Sequence, residues 1–314
     1  MTSLLAVFLT GLFPQGPPIW AETPGFGHFV ECLDGAGTAY QTQRGDVVIL
    51  DDRGVRTSVI TCSPLLRALY RKTDGTLVGV SKGLLQNVSS DGTKPLLDDG
   101  LETFAQGERL FVRGRSLTYV GPGPAYSTST YDSFAGMGIS RDGQTIVVLS
   151  NPVRTPHFTV ARLHSKDWLT ESFIRTPTLD FGTCSIVSGF NDLLFLTPNV
   201  VAFIGEPSFE LGVDAKVVAQ YGSKAIQIGE RAPAASQRGT QSCHYLFAMR
   251  LKEGYALPVA RINLNGRTSG ERGSGATGSM TVSGDGRFLF LEHEAKIWRF
   301  GIKELLSNAG VKDN

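Results

Sequence analysis

The chain has 314 residues, and its 30 Lys and Arg stand against 29 Asp and Glu. A balance that close supplies no overall field for nucleic acid or an anionic membrane surface, so any charged recognition must be local. Hydrophobic residues make up 41%, and 37 glycines occur without a Gly-X-Y period; this excludes a collagen-like chain and assigns glycine to turns between short strands.

From Leu4 to Phe13 the chain is apolar or small, too short a run to cross a bilayer but long enough for the core of a secretory signal. Ala21 offers a small residue for cleavage, although no Lys or Arg precedes the apolar run. The expected division is therefore a signal over residues 1–21 and one folded domain over 22–314, secreted or periplasmic, with no transmembrane segment in the mature chain. Retention of the segment would make the protein cytoplasmic and free Leu4 to Leu12 to act as a strand.

Beyond it, one phrase recurs: a polar turn carrying Asp-Gly or a near equivalent, then an apolar strand. Ser140-Arg141-Asp142-Gly143 leads into Thr145 to Leu149, Ser283-Gly284-Asp285-Gly286 into Arg287 to Glu292, and Thr73-Asp74-Gly75 into Leu77 to Val80. Weaker copies stand at Asp34-Gly35, Gly107-Glu108, Asn191-Asp192 and Gln241-Ser242. The spacing of about 34 to 50 residues is the period of a four-stranded blade.

The phrases ISRDGQTIVVLSN and TVSGDGRFLFLEHEAKIWRF resemble the repeats of YVTN-type and WD-repeat-like propellers over Phe26 to Leu306, without the Gly-His and Trp-Asp pairs of true WD repeats. The expected fold is all-β: a single β-propeller of about seven four-stranded blades, its ring closed by an N-terminal strand. The last unit is one strand short, and a ring must close to remove its sheet edges. Residues 22–30 and Leu4 to Leu12 are the two candidates for the missing strand.

In such a ring, the loops leading into each blade and those joining its second and third strands emerge on one face, where binding residues usually lie. Arg154, Arg231, Arg238, Arg267 and Arg272 fall in loops of this kind, and arginine forks grip carboxylates and phosphates bidentately. The expected function is a non-catalytic platform for a protein or a polar, anionic small ligand. The alternative is a propeller enzyme, a hydrolase or lyase, with His157, His293 and Glu294 as candidate catalytic residues at the channel mouth.

No cofactor and no metal site is expected. Gly273 to Gly278 fits a GxGxxG pattern, but a strand pattern follows where a dinucleotide site needs a helix. The four cysteines, Cys32, Cys62, Cys184 and Cys243, contain no CxxC pair, and in an exported protein they would allow three disulfide pairings. Trp298 is expected in the core, whereas Trp168 sits among polar residues as a possible contact.

Overall fold

The computed structural model describes residues 17–33, 37–62, 65–66, 68–71, 77–81, 84–97, 102–103, 110–113, 116–119, 126–129, 134–150, 157–164, 167–174, 184–186, 193–207, 226–228, 243–263 and 279–312. After β1 (Ile19–Glu22), the strands β2 (Phe26–Leu33), β3 (Gly37–Thr42), β4 (Val47–Leu50) and β5 (Arg56–Ile60) form an antiparallel meander. A second sheet is β6 (Ala68–Arg71), β7 (Leu77–Ser81), β8 (Leu84–Ser89) and β9 (Gly92–Leu97). A third is β10 (Glu102–Thr103), β11 (Leu110–Arg113), β12 (Ser116–Tyr119) and β13 (Tyr126–Ser129). The fourth is β14 (Phe134–Ile139), β15 (Thr145–Ser150), β16 (His157–His164) and β17 (Asp167–Ile174).

The next sheet is larger. It holds β18 (Cys184–Ile186), β19 (Leu194–Thr197), β20 (Val200–Pro207), β21 (Ile226–Ile228), β22 (Cys243–Arg250) and β23 (Tyr255–Asn263). Both β18 and β19 pair with β20, while β21 adds to β23 in parallel. The last sheet comprises β24 (Met280–Val282), β25 (Phe288–His293) and β26 (Lys296–Gly301), with β1 as its fourth strand. There β1 runs antiparallel to β26, Ile19 facing Trp298 and Glu22 facing Lys296. The strand beside β26 is thus Ile19–Glu22, which is neither of the two candidate segments, and Leu4 to Leu12 lies outside the described residues.

The sheets stack face to face, which explains why their central strands are apolar on both sides. Alternate side chains of a strand point to opposite faces. On β20, Val200, Ala202 and Ile204 pack with Leu289, Leu291 and Trp298 of the last sheet, whereas Val201 and Phe203 pack with Val147, Leu149 and Phe158 of the fourth. On β3, Ala39 joins Leu69 and Val88 of the second sheet, and Tyr40 joins Phe290 and Ile297 of the last. Each of these two sheets is therefore wedged between two neighbours, and the first and last sheets of the chain are adjacent. The architecture is a β-propeller.

Among the described residues five sheets are four-stranded blades and one is six-stranded, where about seven four-stranded blades were expected. Two turn phrases counted as separate units, at residues 191–192 and 241–242, lead into β19 and β22 of the same sheet. Pairing of β20 with β22, from Val200 opposite Arg250 to Gly205 opposite Tyr245, merges the two units.

The recurrent turn has one physical plan. In both described Ser-x-Asp-Gly copies the glycine N–H donates to the serine carbonyl, at 2.8 Å for Gly143 to Ser140 and 2.7 Å for Gly286 to Ser283. The serine hydroxyl donates to the aspartate, 2.6 Å in each, and accepts the N–H of the first residue of the following strand, Thr145 or Phe288. Both glycines have positive φ, 68° and 70°, where a side chain would be strained.

The short helix α1 (Ile302–Asn308) follows β26. Gly310 at φ 73° ends it, with the Val311 N–H returning to the Leu306 carbonyl and the Gly310 N–H to that of Ser307. That crossed pair is a Schellman stop. Its companion contact joins Leu306 and Val311 to the core beneath β23 and the last sheet. Among the described residues, no helix is long and apolar enough to cross a membrane.

Candidate functional site

In an antiparallel meander successive connections alternate between the two ends of the sheet, so topology alone sorts the loops. The connections 140–144, 198–199 and 251–254 are short and lie at one end of their sheets. The strand ends that flank the connections from β15 to β16, β20 to β22 and β23 to β24 lie at the other end. The connections themselves, residues 151–156, 208–242 and 264–278, carry Arg154, Arg231, Arg238, Arg267 and Arg272 and, apart from β21, lie outside the described residues.

The β25–β26 hairpin turns at that same end. Glu294 and Ala295 have φ of 53° and 59°, the left-handed pair of a type I′ turn that normally selects Asn-Gly or Gly-Gly. Two non-glycine residues here cost roughly 1 kcal/mol or more each. The compensation is local: the Ala295 N–H donates to Glu292 Oε1 at 2.8 Å, and the Ala295 carbonyl accepts the Thr23 N–H at 2.8 Å. The hairpin is thereby tied to the segment between β1 and β2.

Strand alternation would place Glu292 and Glu294 on one side and His293 on the other. Both faces of β25 are covered here: Glu292 and His293 are both buried, while in the turn Glu294 is half-buried and Ala295 is exposed. The His293 ring lies against Trp298, centroids 6.3 Å apart, and Trp298 itself belongs to the core as expected. Burial drives the Glu292 carboxyl up to about 8, reinforced by the charge of Glu294 and opposed by the Ala295 hydrogen bond. At neutral pH this group holds its proton, and its second oxygen, Oε2, has no hydrogen-bond partner among the described residues. A protonated, buried carboxyl beside a turn is chemically a hydrogen-bond donor or a general acid.

His157 begins β16, opposite Ser150, and its side chain, like that of Trp168, lies outside what the structure describes. Of the three candidate catalytic residues, His293 and Glu294 are adjacent in one hairpin, and His157 is on a different sheet with its backbone at the same end. Sequence reasoning missed Thr23 and Ser279. Thr23 is fully buried with its hydroxyl unpartnered among the described residues. The Ser279 carbonyl accepts the Glu292 N–H at 2.8 Å. Single Thr and Ser residues at strand ends carry no pattern that singles them out. Among the described residues no three His, Cys, Asp or Glu gather as metal ligands, and Cys62 is a free, buried thiol.

No protein-family model matches the chain, and no curated protein matches its sequence. Solved structures of similar fold include a gluconolactonase from Xanthomonas campestris, at 11% identity and a TM-score of 0.46, covering 92% of this chain and 88% of that one. A chain of the mitotic checkpoint complex shares 11% identity at a TM-score of 0.48, covering 92% and 93%. The Dos1 propeller shares 9% at a TM-score of 0.37, covering 87% and 76%. At such identities the likeness concerns fold alone, and one fold hosts many activities.

Proposed function

We propose that this protein is a non-catalytic propeller platform that binds an anionic or polar partner at the end bearing the long connections. The supporting observation is the asymmetry of the two ends. The turns 140–144, 198–199 and 251–254 close strands at one end, while the strand ends at the other flank the connections 151–156, 208–242 and 264–278, whose sequences hold Arg154, Arg231, Arg238, Arg267 and Arg272. We read β1 as the strand that closes the ring, through its pairing with β26, and the platform as exported.

The test is binding of a fluorescent poly-glutamate peptide to the full chain and to a variant with all five arginines changed to alanine. The expected result is salt-sensitive binding that the variant loses while its thermal stability stays within about 0.5 kcal/mol, as for surface sites. Equal binding by both proteins would overturn the assignment of the arginines.

A second reading, a hydrolase or lyase, draws on one observation: Glu292 keeps its proton at neutral pH beside His293 and Glu294. Screening lactone and ester substrates against wild type and Glu292→Gln separates the readings. Turnover abolished by the substitution would favour the enzyme.

A further inference from the structure

At the short-turn end, between the fourth sheet and the six-stranded sheet, lies a cleft of about 390 Å³. Its rim holds Arg162, Arg250, Lys252 and Lys312 against Glu171 and Glu253, an excess of two positive charges. Val160 and Leu251 form an apolar floor. The volume falls in the range of about 300–1,000 Å³ common to small-molecule sites.

Arg162 is held from three sides. Its Nε donates to Glu171 Oε2 at 2.6 Å, Nη1 to the Thr145 hydroxyl at 3.3 Å, and Nη2 to Asn199 Oδ1 at 3.4 Å. Asn199 belongs to the β19–β20 turn, so this one guanidinium bridges two sheets and is fixed in orientation. A guanidinium has five N–H donors, and these three bonds leave one on each terminal nitrogen for an anion's oxygens. The other carboxylate oxygen of Glu171 lies 3.0 Å from His164 Nε2, so both of its oxygens are engaged. Arg250 pairs with Glu253 at 3.4 Å. Lys252 and Lys312 are exposed and make no ion pair with another described residue.

We infer that this cleft is a binding site for a small phosphate-bearing ligand, with the phosphate on Arg162, Lys252 and Lys312 and the organic part over Val160 and Leu251. A phosphate monoester carries close to two negative charges at neutral pH, which matches the excess on the rim. Its oxygens suit a fixed guanidinium fork assisted by two mobile ammonium charges. The site lies at the end opposite the long arginine-bearing connections and does not depend on them.

Calorimetric titration of the full chain with phenyl phosphate tests this, beside inorganic phosphate and neutral phenol. Lys252→Gln with Lys312→Gln removes the mobile charges at exposed positions and leaves the sheets intact. Phenyl phosphate should bind wild type, weaken with added salt, and lose tenfold or more in affinity in the double variant, about 1.4 kcal/mol per tenfold. The loop-arginine variant should bind it as wild type does. Tighter binding of phenyl phosphate than of inorganic phosphate upholds the phosphorylated organic ligand, and binding of inorganic phosphate as tight as phenyl phosphate would overturn it in favour of the free ion. No binding of either phosphate, binding of phenol as tight as phenyl phosphate, or an unchanged affinity in the double variant would overturn it.

Discussion

The hydroxyl of Ser279 accepts the backbone N–H of Val30 at 3.0 Å, across 249 positions of sequence. Two residues on, Thr281 Oγ1 accepts the Cys32 N–H at 3.1 Å and donates to Glu31 at 3.4 Å. These bonds join the inner strands β24 and β2, so the seam between the last and first sheets is sewn by side chains where no strand ladder connects them. Val30 is fully buried, and its N–H has nowhere else to go.

Removing the Ser279 hydroxyl leaves that donor unmet inside the protein, which costs about 1–3 kcal/mol. Ser279→Ala should therefore lower the urea midpoint by that equivalent, and adding Thr281→Val should lower it further. Ser279→Thr, which keeps the hydroxyl, should recover part of the loss. A double variant as stable as wild type would mean that the seam is held by apolar packing alone.

Glu292 makes stability depend on pH in an unusual direction. Its carboxyl is raised to about 8 in the folded chain, while in the unfolded chain it titrates at about 4.3. Below about 4.3 both states are protonated and nothing is lost. Between there and about 8 the unfolded state ionises while the folded state does not, so unfolding releases a proton and stability falls as pH rises. Urea unfolding at pH 5, 7 and 8.5 should show the decline. Glu292→Gln should flatten it, with a relative gain on the order of 1 kcal/mol or more at pH 8.5. An identical slope in the variant would place Glu292 in contact with water or a cation.

The strained turn next to it offers a gain in stability. Glu294 and Ala295 both sit at positive φ, and replacing them by Asn and Gly matches the turn type. Glu294→Asn with Ala295→Gly should raise stability by about 1 kcal/mol, read by thermal unfolding. If the turn serves a ligand, the gain in stability will come with a loss of binding, because strain kept at a site is more often functional than accidental.

The parts of the fold legible in the sequence are those whose hydrogen bonds are spelled locally. Ser140 to Gly143 and Ser283 to Gly286 announce their turns because serine, aspartate and glycine each fill one bond of the loop. The blade count was not legible, because the merging of β20 with β22 spans a connection of residues 208–242 and depends on pairing that no local phrase encodes. The candidate site was half legible. His293 and Glu294 stood out in the sequence, but the surroundings of the buried Glu292 include Ser279, whose carbonyl accepts the Glu292 N–H, and Thr23, tied to Ala295, both brought there from the ends of other strands. The cleft at Arg162 left no signal either, since its cations come from β16, the β22–β23 turn and the residues after α1.

The segment before the first meander sets the last prediction. Ile19 to Glu22 form β1 against β26, and Ala21, the expected cleavage point, is buried within it. Trp20 packs on Phe290 with centroids 4.9 Å apart, the Arg299 guanidinium lies 5.7 Å from its ring centre, and a Cβ on Gly54 would come within 2.4 Å of its carbonyl oxygen. Cleavage after Ala21 would strip this strand away, bare the β26 edge and uncover Phe290. An exposed strand edge of that kind invites pairing between chains. A protein beginning at Pro17 should therefore melt where the full chain does, whereas one beginning at Glu22 should lose several kcal/mol, on the scale of a lost aromatic contact with its strand pairing, or aggregate. Any processing during export must then fall before Ile19. Equal stability of the two shortened proteins would instead remove β1 from the closure of the ring and restore residue 21 as the boundary.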